Sequence, residues 1–254
     1  MAEVTRRAAG ECVVTPIVAL DVPDRRAAEA LVRTLGAACD FYKVGLELYA
    51  AEGPSIVAWL RSAGKRVFVD LKLHDIPNTV RGAARSVARQ GAALLTVHAV
   101  GGAAMVQAAV QGAADGSAGD APCEVLAVTI LTSLDGEMVG TAWGRPPVDV
   151  SAEVVRLAGA AHEGGAAGVV CSGHELDALR GAHGSALRYL VPGIRLAGGA
   201  SHDQQRVMTP SAAAAAGATW LVLGRAVTAA ADPVAALAAV REELAGLALR
   251  PQIG

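Results

Sequence analysis

Residues 67–80 read VFVDLKLHDIPNTV, an apolar run that turns charged and then breaks at a proline. Val67, Phe68 and Val69 are good strand formers, and Pro77, Asn78 and Thr79 have the chemistry of a helix start. The stretch therefore reads as a strand, a short exit and a helix. Its charged residues, Asp70, Lys72 and Asp75, fall where the strand ends.

The same unit recurs on both sides. Strand-like runs stand at IVALD from 17, FYKVGL from 41, ALLTVHA from 93, VLAVTIL from 125, GVVCS from 168, YLVPGI from 189 and WLVLGR from 220. Ala-, Leu- and Arg-rich segments of helical length lie between them, including 24–38, 78–90, 151–163 and 233–246. Alternation of this kind predicts a parallel sheet. Eight such units in 254 residues match a single-domain α/β chain folded as a (β/α)8 TIM barrel. The barrel is expected over residues 16–247, with tails at 1–15 and 248–254.

Composition narrows the function. A net charge of -2 and 3% aromatic residues leave neither the basic surplus nor the stacking groups that nucleic-acid binding needs. Cysteines at 12, 39, 123 and 171 lack metal-type spacing and suit idle thiols in a reducing, cytoplasmic setting. Pro16 and Asp21 interrupt the apolar stretch after Arg6 and Arg7, which argues against a signal peptide. Residues 91–114 carry no Asp, Glu, Lys or Arg, yet His98, two glutamines and several glycines break them up. A strand, a turn and an Ala-rich helix explain that segment better than a membrane span.

In a barrel of this class the chemistry gathers at the carboxyl ends of the strands. The polar residues there are Asp21, Lys43, Asp70, Lys72, His98, Thr132, Ser133, Arg195 and Arg225. Lysine is the informative choice. The chain holds three lysines among its 22 Lys and Arg residues, and two of the three, Lys43 and Lys72, lie on expected strands. Arginine would serve a plain ion pair, whereas an ammonium can hand over a proton. Asp70 and Lys72, two apart, project to one face of a strand, and Lys43 on the next strand extends the row toward a Lys43–Asp70–Lys72–Asp75 array. A buried ion-pair network that only staples strands is the competing reading.

The motif DLKLHDIPNTV closely resembles the signature of the orotidine 5'-phosphate decarboxylase family, bacterial type. VALD at 18–21, YKVGLELY at 42–49, TVHAVGG at 96–102, TILTS at 129–133, VPGIR at 191–195, DQQRVMTP at 203–210 and VLGRAVT at 222–228 resemble that family in its order. The likeness spans residues 16–240.

The resemblance implies conversion of orotidine 5'-phosphate to uridine 5'-phosphate and carbon dioxide, the last step of pyrimidine nucleotide synthesis, with no metal or organic cofactor. It makes Lys72 the acid that protonates C6. Asp70 would lie against the substrate carboxylate, where two like charges about 4 Å apart repel by roughly 4 kcal/mol at an effective dielectric near 20. Whether ground-state repulsion or preorganised stabilisation of the carbanion dominates is left open by the sequence, and both accounts use a charged Lys72. The resemblance further implies a homodimer in which Asp75 and Thr79 reach the neighbouring subunit's site.

Substrate contacts follow by the same resemblance. Asp21 and Lys43 would hold the ribose hydroxyls with Asp70 and Thr79, and Thr132 and Ser133 would read the pyrimidine edge. Pro192, Arg195, Gly224 and Arg225 would form the phosphate end, in keeping with the loops after strands seven and eight of many barrels. Gln204 would bridge phosphate and base from the loop LAGGASHDQQ. The chain departs from the family at His202, where glycine is expected, and at Gln205, where a basic residue is expected. His98 is expected to hydrogen-bond from behind the site.

Two other readings stand beside this one. Metal-dependent enzymes acting on sugar phosphates share the D-x-K-x-x-D element, and a barrel can also bind a nucleotide without turning it over. Residues 134–150, with Gly140, Gly144, Pro146 and Pro147, read as a loop able to join a lid.

Overall fold

Val67 and Val69 point one way and Phe68 the other along β3 (Arg66–Leu73), and that alternation runs round the whole sheet. The computed structural model describes residues 14–119, 122–196 and 208–248. In chain order its first half comprises β1 (Thr15–Ala19), α1 (Arg25–Leu35), β2 (Phe41–Gly45), α2 (Leu46–Glu52), α3 (Ser55–Ser62), β3, α4 (Pro77–Arg89), β4 (Leu94–His98) and α5 (Gly102–Gly116). There follow β5 (Glu124–Val128), α6 (Gly136–Ala142), α7 (Val150–Glu163), β6 (Gly168–Val170), α8 (Leu176–His183), β7 (Arg188–Val191), α9 (Pro210–Ala215), β8 (Trp220–Leu223), α10 (Arg225–Thr228) and α11 (Pro233–Ala248).

Every strand pairs in parallel with its sequence neighbour, and β8 closes on β1. The expected (β/α)8 barrel is therefore the observed one. One set of side chains, including Ile17, Phe41, Phe68, Leu94, Leu126, Leu190 and Trp220, is buried inside the barrel. The alternate set, among them Val18, Tyr42, Val67, Val69, Leu95 and Leu221, is buried against the helices. The interior is thus a packed apolar plug, closed at the amino ends of the strands by Arg66 over Phe41 and by Arg188, paired with Glu124, over Trp220; toward the carboxyl ends it opens onto Lys43, Asp70 and Thr96. Among the described residues no helix is long and apolar enough to cross a membrane.

Segment 134–150, read as a loop, contains α6. Asp135 caps it by accepting from the Met138 amide at 2.9 Å. Gly136 and Gly140 let its backbone settle onto the carbonyls of Val148 and Pro146, so the glycines that suggest a loop here serve close packing.

Glycine does the same between α4 and α5. A methyl group on Gly112 would run into the Arg81 carbonyl, and one on Gly116 into the Arg85 carbonyl. Gly82, on the same pair of helices, has nothing within 4 Å of the added carbon. Gly112→Ala is expected to destabilise the chain by about 1–3 kcal/mol through overpacking. Gly82→Ala is expected to stabilise it by roughly 0.5–1 kcal/mol through helix propensity. Urea unfolding of both variants checks the pair, and equal effects would show that α4 and α5 are not in backbone contact.

Candidate active site

The strand alternation that fills the barrel with apolar side chains changes character one layer before the rim. Ala19 pairs with Lys43 across β1 and β2, and Gly45 pairs with Asp70 across β2 and β3. Asp21 lies two residues past the end of β1. The Lys43 ammonium reaches Asp21 Oδ1 at 2.7 Å and stands 3.7 Å from Asp70 Oδ2. Lys72 Nζ donates to the same Asp70 Oδ2 at 2.9 Å. The result is a continuous row, Asp21–Lys43–Asp70–Lys72, whose inner members Lys43 and Asp70 are largely buried and whose outer carboxylate Asp21 is exposed.

Within one chain this row differs from the expected Lys43–Asp70–Lys72–Asp75 array at its end. Asp75 sits beyond β3, exposed, and its Oδ1 accepts from the Ile76 amide at 2.6 Å. Thr79, in the first turn of α4, is exposed as well. Neither lines the cavity described below.

Simple alternation also does not explain how Lys72 is held. Val69 pairs with Leu95 and Leu73 with Val97, so four steps along β3 match two along β4 and the strand bulges between them. Lys72 sits in the bulge with φ +51°, the one positive φ outside glycine among the described residues. A long side chain rarely adopts that conformation, and such outliers gather at functional sites.

Thr96 on β4 was not among the sequence candidates. It is fully buried, accepts from the Lys72 amide at 2.9 Å and donates to Asp70 Oδ1 at 2.8 Å. The signal lay in the alternation of LLTVH, residues 94–98. Leu94 faces the barrel interior, so Thr96 faces it one layer higher, level with the charges. Burial pushes the Asp70 carboxyl up, but the Lys72 and Lys43 ammoniums, with the hydrogen bonds from Lys72 and Thr96, outweigh it and hold Asp70 below the ordinary carboxylate value.

Gly45 makes room for the row. A Cβ there would stand 2.9 Å from Lys43 Nζ and 3.1 Å from Asp21 Oδ1. Its backbone is extended, with φ -92° and ψ -176°, so space and not conformation demands glycine.

The row forms one wall of a cavity of about 350 Å³ at the carboxyl ends of the strands. That volume lies within the range of small-molecule sites. Val128 at the end of β5 lines it with Ile130 and Thr132 just beyond, as do Pro192, Gly193 and Arg195 beyond β7, and Gly224, Arg225 and Thr228 beyond β8. Gly224 opens onto space, and the short helix α10 starts directly after it. The Arg195 guanidinium donates from one terminal nitrogen to the Ile194 carbonyl at 3.0 Å, while its buried Nε has no partner among the described residues.

Of the expected site residues, Asp21, Lys43, Asp70, Lys72, Thr132, Pro192, Arg195, Gly224 and Arg225 meet at this cavity. Ser133 follows Thr132 but is exposed and does not line it. Gln204, with His202 and Gln205, lies outside the described residues. His98 ends β4 half-buried, with its ring 5.8 Å from that of His74. Burial, His74 and Lys72 push the His98 ring below the ordinary imidazole value against the pull of Asp70. Among the described residues no group of three or more His, Cys, Asp and Glu is arranged to hold a metal ion.

Residues 15–240 match the model of the orotidine 5'-phosphate decarboxylase / HUMPS family. An orotidine 5'-phosphate decarboxylase of Anaeromyxobacter dehalogenans is 53% identical over 225 residues, 87% of this chain and 94% of that relative. One from Moorella thermoacetica is 48% identical over 230 residues, 90% of this chain and 91% of the relative. The crystal structure of orotidine 5'-phosphate decarboxylase from Lactobacillus acidophilus superposes with a TM-score of 0.81 at 36% identity, covering 91% of this chain and 99% of that one. With its barrel, its row of alternating charges and these relatives, the chain belongs to the orotidine 5'-phosphate decarboxylase / HUMPS family.

Proposed function

We propose that the chain decarboxylates orotidine 5'-phosphate to uridine 5'-phosphate and carbon dioxide, closing pyrimidine nucleotide synthesis, with Lys72 as the proton donor and no metal. The observation that carries this reading is the Asp21–Lys43–Asp70–Lys72 row on one wall of a cavity whose rim holds Arg195 and Arg225. A phosphate held by the two guanidinium groups and the open backbone at Gly224 would anchor one end of the substrate. Asp21 and Lys43 would take the ribose hydroxyls. Thr132, with Ser133 from the adjoining turn, would meet the pyrimidine edge, and Gln204 would bridge it to the phosphate.

The base is then laid over Asp70 and Lys72. As the bond from C6 to the carboxylate breaks, its electron pair stays on C6 and carbon dioxide leaves. The proton on Lys72 Nζ forms the new C6–H bond, and the resulting amine regains a proton from solvent. The Asp70 carboxylate repels the substrate carboxylate before the step and pairs with Lys72 while that side chain is charged.

The working unit is a homodimer in this reading. Leu46, Ile76, Val100 and Leu131 are large exposed apolar residues, and each follows the end of β2, β3, β4 or β5. A second copy seated over that surface would cover them and receive Asp75 and Thr79 at its own cavity. Cys39, Cys123 and Cys171 are free and buried, in keeping with a reducing, cytoplasmic location.

Spectrophotometric turnover tests the substrate assignment. With excess chelator the protein is expected to consume orotidine 5'-phosphate and to leave keto-sugar phosphates untouched, with or without magnesium. Magnesium-dependent turnover of the sugar phosphate alone would move the chain to the other branch of its family. Gly45→Ala is expected to raise KM by roughly tenfold or more, because displacing the Lys43 ammonium misplaces the ribose contacts. An unchanged KM in that variant would remove Lys43 from substrate binding.

A further inference from the structure

The bulge in β3 leaves a question of hydrogen bonding. Where the strand departs from its register with β4, the Lys72 amide loses the backbone partner that a regular ladder would provide. A buried amide without a partner is costly, and the left-handed backbone at Lys72 adds strain of its own. One side chain answers both. Thr96 Oγ1 accepts from the Lys72 amide, and because its lone pair is used there its own proton is directed to Asp70 Oδ1. Asp70 is left with Oδ2 facing Lys72 Nζ and, more distantly, Lys43. The hydroxyl thus ties the backbone of the lysine to the carboxylate that pairs with its ammonium.

We infer that Thr96 is a positioning residue for proton delivery: its single hydroxyl holds the Lys72 backbone in the bulged left-handed conformation and fixes the plane of Asp70. Valine has the same shape without the hydroxyl, and serine keeps the hydroxyl without the methyl. The inference rests on the decarboxylase reading for its effect on rate, but the hydrogen bond itself can be followed without substrate.

Two measurements on the full chain decide it. In single turnover with orotidine 5'-phosphate, Thr96→Val is expected to slow the chemical step by roughly 10- to 100-fold, the size that displacement of a catalytic group by about 1 Å produces, with KM within about threefold. Thr96→Ser is expected to stay within about threefold of the unaltered chain. In native-state hydrogen exchange the Lys72 amide is expected to exchange faster in Thr96→Val than in Thr96→Ser or the unaltered chain. If Thr96→Val does not fold, Thr96→Ala takes its place against Thr96→Ser. Loss of the same size in the serine and the valine or alanine variants would overturn the inference, as would a Lys72 amide equally protected in all of them. Absence of turnover by the unaltered chain would count against the decarboxylase reading, and amide exchange would still decide the role of Thr96.

Discussion

Lys72→Ala is expected to lower turnover of orotidine 5'-phosphate by roughly 10⁴-fold or more, at the top of the range for loss of a general acid, since the same side chain also neutralises Asp70. Two effects add. Among the described residues the variant removes the one ammonium within direct hydrogen-bond reach of Asp70, because Lys43 stands 3.7 Å away and is engaged with Asp21 at 2.7 Å. It also leaves no ready substitute acid among the described residues, since His98 does not line the cavity and its ring is held below the ordinary imidazole value. Product formation by Lys72→Ala, followed at enzyme concentrations high enough to see a 10⁴-fold loss, checks the prediction. A residual rate within tenfold of the unaltered chain would place the proton elsewhere.

Mixing two inactive variants is expected to restore activity. If Asp75 serves the partner's cavity, a Lys72→Ala chain paired with an Asp75→Asn chain makes one site carrying both lesions and one carrying neither. Random exchange of subunits makes half the dimers mixed, so about a quarter of all sites become intact in a symmetric dimer. If Asp75 instead acted in its own chain, each site of the mixed dimer would carry one lesion and no activity would return. The exposed position of Asp75 and Thr79 at the start of α4, away from their own cavity, is what favours restoration. Refolding the variants together and assaying against each alone gives the result.

The sequence carried the barrel because its physics is local. Strand-forming runs of three to eight residues alternate with helices, and eight such units in a chain of this length match a closed barrel. The charged row was legible for a related reason: strand ends collect function in this fold, and lysine stood out in an arginine-rich chain. What the sequence did not disclose is set by contacts distant along the chain. Thr96 looks like any strand threonine until its register against the bulge in β3 is known. The left-handed backbone of Lys72 has no glycine to announce it. The role of Gly45 depends on where two side chains from different strands meet, and α6 depends on carbonyls supplied by the segment that follows it.

Release of carbon dioxide from carboxyl-labelled orotidine 5'-phosphate, by the purified chain in excess chelator, tests the central claim most directly. One labelled carbon dioxide is expected for each uridine 5'-phosphate formed, at a rate that Lys72→Ala abolishes. Folded protein that binds the nucleotide and releases no label would contradict that claim, and so would release that persists undiminished without Lys72.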